Sequence, residues 1–436
     1  MSFYKIIMIN IIFTSLGCTC FGMQGHSTSE RSFLLNSYST DFFHNQVKDD
    51  YYLIGVNQSN IAATAYNYCT KKEAPLNVLF IVNHFPSRSQ AFIMNIIVGL
   101  IKKGHNVSIF SFNKDNYASL YPDIAKYNLL DKVTYRGKFP NKLPHCDIVF
   151  CQFGTLGKKI FDAKNLKKWL KNKKVVTCFR GSDTSKYLKF NYSDVYKKLF
   201  AKGALFLPVC DYFKKRLIKL GCDPKKIVVH HSAIDCDRFS FKERNKPESN
   251  AINCATTCRL VKKKGVDDII KAFAMVIHQY PDAHLTIMGD GPERLALENL
   301  AKKLGCGDKI TFSGWACQEK VVSVLDKSHI FLLPSKKDKE GNEEGIPNAL
   351  KEAMAMGLIS IGTFHAGNAE LIENGISGFL IKEGDYQGLA QKMYYIIEHP
   401  EIWQSMQHAA RKKIETDFEI NGAIAELEQI FYSLIK

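Results

Sequence analysis

Two doubly wound α/β domains of similar size, joined by a short linker, are the fold that this 436-residue sequence predicts. Three observations carry the prediction. From residue 77 onward, apolar β-branched runs recur with helical stretches between them. The runs are continuous rather than alternating, as strands buried on both faces of a parallel sheet require. The series breaks once, at the polar stretch KPESN (246–250), and then begins again. The division that follows is an N-terminal extension (1–74), a first α/β domain (75–247) and a second (248–436) that ends in helices without further strands.

In the first domain the runs NVLFIV (77–82), VSIFSF (107–112), DIVFCQF (147–153), VVTCF (175–179), LFLPVC (205–210) and KIVVHHSAI (226–234) read as strands. Between the first two, Phe92, Ile96, Ile97, Leu100 and Ile101 fall on one helical stripe, which Gly104 stops. In the second domain the strands are INCATTC (252–258), HLTIMGD (284–290), KITFSG (309–314), HIFLLPS (329–335), ISIGTF (359–364) and GFLI (378–381). Strand–helix alternation implies parallel sheets, and open parallel sheets bind ligands beyond the C-terminal ends of their strands. Two such domains facing each other make a cleft with a ligand from each side.

The formal net charge is +16, and residues 151–245 alone hold 23 Lys/Arg against 8 Asp/Glu. A solvated surface explains such a stretch without a partner; an anionic surface or phosphorylated molecule is the other reading. Zinc-finger, RNA-binding and basic-heptad signatures are all missing, so nucleic acid is not expected. Thirteen cysteines without a C-x-x-C pair fit reduced thiols in a cytosolic protein. The N-terminus points elsewhere: MSFYK followed by the twelve-residue apolar run IIMINIIFTSLG resembles a signal peptide and is shorter than the ~20 residues of a membrane span. An export signal, a membrane anchor and an extension ahead of a start at Met23 all remain open.

Several constellations sit where strands end. CRLVKKKG places Arg259 against a strand and Lys264 before Gly265, two cations of the kind a diphosphate leaving group needs. A solvated run accounts for Lys262 and Lys263, less well for Arg259. GDGP (289–292) is a strand-to-helix turn whose Gly291 lets backbone approach a phosphate; a plain turn is the alternative. In EGIPNALKEAMAMG (344–357), Pro347 suits a first helical turn and Gly357 a C-terminal stop. Glu344 then lies in the loop, Glu352 lies on the helix, and Gly345, Ile346, Pro347 and Asn348 form the helix entry. An ionised glutamate only accepts hydrogen bonds, so either can take paired sugar hydroxyls. Asp235 and Asp237 form a D-x-D that reads as structural, and Cys254 and Cys258 lack companion ligands, so no metal site is expected.

Taken together, NHFPSRSQAFIMNIIVGLIKKGH, FRGSD (179–183), HHSAIDCDRF, CRLVKKKGVDD, GDGP, EGIPNALKEAMAMG and HAGNAELIENGISGFLI resemble family 4 glycosyltransferases, especially the branch that builds bacterial exopolysaccharides such as colanic acid and amylovoran. The resemblance runs from about residue 77 to the C-terminus. It implies the GT-B fold, two facing Rossmann-like domains, and a retaining transfer without metal or other cofactor. It also implies that Arg259 and Lys264 hold the diphosphate of a UDP- or GDP-sugar, Glu352 the ribose and Glu344 the transferred sugar. Gly367 and Glu370 would lie in the loop beyond the nucleotide-binding helix. His84, Arg88 and Gln90 become acceptor-side candidates. The acceptor implied is a polyprenyl-diphosphate-linked saccharide at the inner face of the membrane, where a basic surface meets anionic lipid, and the location implied is cytoplasmic. Two departures stand out. Arg180 replaces the histidine that contacts the transferred sugar in relatives, and Gln90 replaces an acidic residue. They leave a non-catalytic sugar-nucleotide or glycan-binding protein as the rival reading, with an epimerase of the same fold behind it.

Overall fold

The computed structural model describes residues 73–436 apart from residues 89, 192 and 193. The signal-like segment 1–22 lies outside the described residues. Two six-stranded sheets organise residues 75–436. The first holds β1 (Asn77–Phe85), β2 (Asn106–Lys114), β3 (Val133–Tyr135), β4 (Ile148–Cys151), β5 (Lys174–Phe179) and β6 (Leu205–Pro208), in the order β3-β2-β1-β4-β5-β6. The second holds β7 (Asn253–Thr257), β8 (His284–Met288), β9 (Ile310–Gly314), β10 (Ile330–Leu332), β11 (Ile359–Thr363) and β12 (Phe379–Ile381), in the order β12-β11-β10-β7-β8-β9. Every pairing is parallel. Each sheet therefore reverses its winding once, between β1 and β4 and between β7 and β10, and opens a crevice there.

Strand β1 shows why continuous hydrophobicity was required. Val78, Phe80 and Val82 pack on one face with Ile97 and Phe150, while Leu79 and Ile81 pack on the other with Phe110 and Val149. The helix Ala91–Lys102 buries Ile93, Met94, Ile96, Ile97, Val98 and Leu100. Phe92, expected on the core stripe, packs at the edge of that core and also lies under the guanidinium of Arg180.

Two expectations are corrected. KIVVHHSAI is not a strand. Val228 and His230 donate to the carbonyls of Phe206 and Pro208 beside β6, but Pro208 has no N–H to return the bond, so the ladder stops at the single bridge between Phe206 and Ile227. The C-terminal helices also do not all belong to the second domain. Ile424, Leu427 and Phe431 of the helix Ile420–Ile435 enter the core of the first sheet, and Phe150 meets Phe431 at 5.2 Å. The chain thus crosses between the sheets twice.

Ten cysteines fall among the described residues; all are free thiols and only Cys317 is exposed. No helix among the described residues is long and apolar enough to cross a membrane.

Candidate active site

A cleft of about 600 Å³ lies between the two sheets, lined from both. Loops that leave the C-terminal ends of the strands build it, which is where winding reversal leaves space.

On the second-sheet side, the loop after β7 carries three consecutive lysines through a 3₁₀ turn, Lys262–Lys264. Three residues per turn set neighbouring side chains far apart in direction. Lys262 points to solvent and pairs with Glu293. Lys263 and Lys264 point inward to Glu344, at 3.5 and 2.7 Å. The solvated reading therefore holds for Lys262 and fails for Lys263, which lines the cleft. Gly265 ends the turn at φ +65°, and a β-carbon there would meet the Pro334 carbonyl oxygen at 2.1 Å. Only glycine lets this loop lie against the strand beside it.

Glu344 is buried, and its carboxylate is fully engaged. Lys264 donates at 2.8 Å and the Ser335 hydroxyl at 3.2 Å. Burial opposes its ionisation, but Lys264 and then Lys263 overcome that and hold the carboxyl at about 2. Its backbone N–H donates to Nε2 of the buried His365 at 3.0 Å. Because an N–H can only donate, the His365 proton sits on Nδ1, facing Glu383 at 2.6 Å. His365 opens the stretch HAGNAELIENGISGFLI, but its contact with Glu344 appears only once the loops are brought together.

Pro347 is the residue preceding the helix Asn348–Ala355 rather than a member of its first turn. Gly345, Ile346, Pro347 and Asn348 all line the cleft, so the helix start faces it. Glu352 stands one turn in. Among the described residues its carboxylate has no hydrogen-bond or ion-pair partner, and burial raises it to about 7 against the opposing pull of Lys351 and Arg238. Arg259 is exposed at the same wall and makes no ion pair among the described residues. The cleft thus offers an unpartnered carboxylate and an unpartnered guanidinium on one wall.

Gly291 lies elsewhere. It packs against the Leu260 carbonyl, 2.3 Å from where a β-carbon would stand, and Gly289 rather than Gly291 lines the cleft. The backbone N–H of Gly291 donates to Asp290. The turn therefore serves close packing of two loops.

On the first-sheet side, Arg88 and Gln90 line the cleft and His84 does not. His84 pairs with Asp115 at 3.0 Å at the end of β1. Arg88 stacks over Tyr117 and reaches across to Trp315 of the second half, 4.5 Å from the ring centre. Arg180 follows β5 and donates to Ser232 at 2.9 Å and Gln152 at 3.0 Å. Asp183 accepts the backbone N–H groups of Gly154, Arg180 and Gly181 and so fixes the turn. Glu370 bridges the halves, accepting from the N–H groups of Asp211 and Tyr212. Gly367 abuts Cys210 and Ile346. Asp235 accepts the N–H groups of Asp237 and Arg238, which is the structural part read for the D-x-D.

Residues 237–413 match the family model for glycosyl transferases group 1. A putative colanic acid biosynthesis glycosyltransferase of Salmonella typhimurium is 29% identical over 408 residues, 81% of this chain and 100% of that protein. An amylovoran biosynthesis glycosyltransferase of Erwinia amylovora is 28% identical over 409 residues, 82% of this chain and 100% of that one. Among solved structures, a glycosyltransferase of Rickettsia africae superposes with a TM-score of 0.68 at 19% identity, over 84% of this chain and 100% of its own. The Anabaena protein HepE, in complex with UDP and glucose, gives 0.68 at 14% identity, over 82% and 100%. The match of residues 237–413, the likeness to full-length relatives named as glycosyltransferases and the two facing sheets agree: the second half of this chain carries a glycosyl transferases group 1 domain, and the chain has the GT-B fold.

Proposed function

We propose that this protein moves a hexose from a nucleotide-diphosphate sugar to a lipid-linked saccharide, with retention at the anomeric carbon and without a metal, in the synthesis of a surface polysaccharide. The observation that carries the reading is the wall on which Arg259, Lys264, Glu344 and Glu352 converge around the start of the helix Asn348–Ala355. Glu352, with no partner of its own, takes the ribose hydroxyls. Arg259 and Lys264 take the diphosphate, and Lys263, turned inward, joins them. As the bond from C1 to the diphosphate breaks, its electron pair leaves on the phosphate oxygen, where these cations meet the growing charge. The acceptor hydroxyl oxygen forms the new bond to C1 from the same face, and its proton passes to the departing phosphate oxygen. Glu344, held rigidly by its lysines and Ser335, orients the transferred sugar. The cations and the helix start supply the positive charge that a metal supplies elsewhere, which supports metal independence.

Support for the donor class comes from HepE, solved with UDP and glucose. Support for the pathway comes from the relatives, named for colanic acid and amylovoran biosynthesis. The acceptor wall holds Arg88, Gln90 and Arg180, and the basic stretch 151–245 suits peripheral binding at an anionic inner membrane face.

The test offers UDP-glucose, UDP-galactose, UDP-N-acetylglucosamine and GDP-mannose in chelator and measures binding and nucleotide release. One donor is expected to bind and release nucleotide slowly. Glu352→Ala is expected to abolish release and weaken nucleotide binding at least tenfold, the worth of about one charged hydrogen bond. Binding without release, even with a lipid-linked acceptor present, transfers the reading to a non-catalytic sugar-nucleotide binder.

A further inference from the structure

Arg180 carries a buried charge with no direct ion-pair partner among the described residues. Its guanidinium lines the cleft. Ser232 and Gln152 accept from its two terminal nitrogens, and Phe92 covers one face at 4.2 Å. Its Nε and the Nε2 of fully buried Gln152 are buried donors with no partner. Asp183, engaged by three backbone N–H groups, attracts the guanidinium from a distance without a direct contact, and its pull does not offset the burial. A buried amine lies beside Arg180: Lys351 donates to the carbonyl of the same Ser232, makes no ion pair among the described residues, and is lowered to about 7 by burial and then by Arg180. Burial presses Arg180 below its ordinary value. A desolvated guanidinium and the amine beside it, both donating to one neutral residue, form an arrangement that a ligand anion stabilises.

The position says which part of the ligand this is. Gly181 would meet the Glu343 carbonyl at 3.2 Å and Gly345 the Arg180 carbonyl at 3.5 Å. The Arg180 turn therefore touches the loop that carries Glu344, at the floor of the cleft. Arg259, Lys263 and Lys264, the cations read for the diphosphate, line the opposite wall, and on the first-sheet wall two guanidiniums, Arg88 and Arg180, make no ion pair among the described residues. A planar guanidinium lying on an aromatic ring suits a planar, singly charged group.

We propose that the sugar seated between Arg180 and Glu344 carries a carboxylate held by Arg180, so that a hexuronate is part of the substrate, either as the transferred unit or as the terminal unit of the acceptor. The proposal rests on the glycosyl-transfer reading above.

The experiment measures selectivity with the full chain. One arm compares UDP-glucuronate with UDP-glucose as donor. The other compares polyprenyl-diphosphate acceptors ending in glucuronate with those ending in glucose. A preference of about 100-fold for the glucuronyl compound is expected in one arm, and Arg180→Gln is expected to bring that ratio close to one. A purely structural role would lower both members of a pair together and leave the ratio alone. A ratio near one in both arms of the wild type, or a preference that Arg180→Gln leaves standing, overturns the proposal. Failure of the transfer reading looks different: no nucleotide release and no loss of UDP binding in Glu352→Ala. In that case the same ratio is read from binding, UDP-glucuronate against UDP-glucose and methyl glucuronide against methyl glucoside with UDP present, and a ratio near one again overturns it.

Discussion

Glu344 does two jobs at one position. In the free protein it neutralises Lys264 and Lys263, which would otherwise face each other in a buried corner. Under the transfer reading proposed above, a bound diphosphate shares these lysines while the carboxylate they hold in place orients the sugar. Its carboxyl is held at about 2 against an ordinary 4.5. A depressed acid stabilises the fold above its ordinary value, and that stabilisation is lost as pH falls from about 4.5 toward 2; the shift corresponds to about 3 kcal/mol. Glu344→Gln keeps the shape and removes the charge. The variant is expected to lose about 3 kcal/mol of stability at pH 7, because two buried lysines lose their partner. It is also expected to recover more thermal stability on adding UDP than the wild type does, since the diphosphate restores the missing charge. Its stability would then lack the wild type's decline between pH 4.5 and 2. Thermal melts with and without UDP, repeated across that range, read all three. A variant as stable as wild type would show that the lysines do not depend on Glu344.

Among the elements, the helix Asp211–Lys219 has no cap from its own chain neighbourhood; Cys210 precedes it and supplies no side-chain bond. Glu370, from the second half, accepts the N–H groups of Asp211 at 2.9 Å and Tyr212 at 3.2 Å. A carboxylate at a helix start satisfies orphan donors and meets the positive end of the dipole. Glu370→Ala is expected to cost about 1 kcal/mol, the usual worth of a cap. Hydrogen exchange at Asp211 and Tyr212 should quicken about fivefold while β1 and β7 stay protected. Unchanged exchange at those two amides would show that Glu370 does not join the halves. This bridge was not legible in the sequence, where Glu370 read only as part of a loop. The strands were legible because burial on both faces leaves an unbroken apolar run, as in NVLFIV. β3 was missed because Val133–Tyr135 is three residues long and half-buried. KIVVHHSAI was over-read because its apolar pattern is that of a strand, and the obstacle is a proline on its neighbour. In the site, Arg259, Glu344 and Glu352 were legible from spacing. Lys263 was not, since its direction depends on a 3₁₀ turn, nor were Trp315 and His365, whose partners lie far along the chain.

At the scale of the whole molecule, the charge is as uneven as the contacts. Residues 151–245 hold most of the net +16, and β5 separates their exposed lysines into an earlier and a later group along the chain, joined where Lys198 pairs with Asp162 at 3.1 Å. Before β5, Lys164, Lys167, Lys168 and Lys171 are exposed; after it come Lys189, Lys197 and Phe190, which is 64% exposed. The cleft opens at the C-terminal ends of the strands, the side on which the segment after β5 emerges. An acceptor anchored in a membrane reaches Arg88 and Arg180 only if that side faces the bilayer. An exposed phenylalanine among lysines suits such a surface, whose anionic lipids contribute about 1 kcal/mol per well-placed lysine. Reversing Lys189 and Lys197 to glutamate is therefore expected to weaken partition into phosphatidylglycerol vesicles at least 30-fold, about 2 kcal/mol for the two positive charges removed. Reversing Lys167 and Lys171 changes the net charge equally and is expected to act less, through the long-range field alone, and that part fades with salt. Co-sedimentation at two ionic strengths separates the effects. Equal losses from the two pairs would mean that the membrane responds to net charge without a defined face, and a wild type that stays in solution would remove the membrane from the account. Neither pair lines the cleft, so donor hydrolysis without lipid should be the same in both variants. A loss confined to the lipid-linked acceptor would tie the basic surface to acceptor delivery rather than to folding.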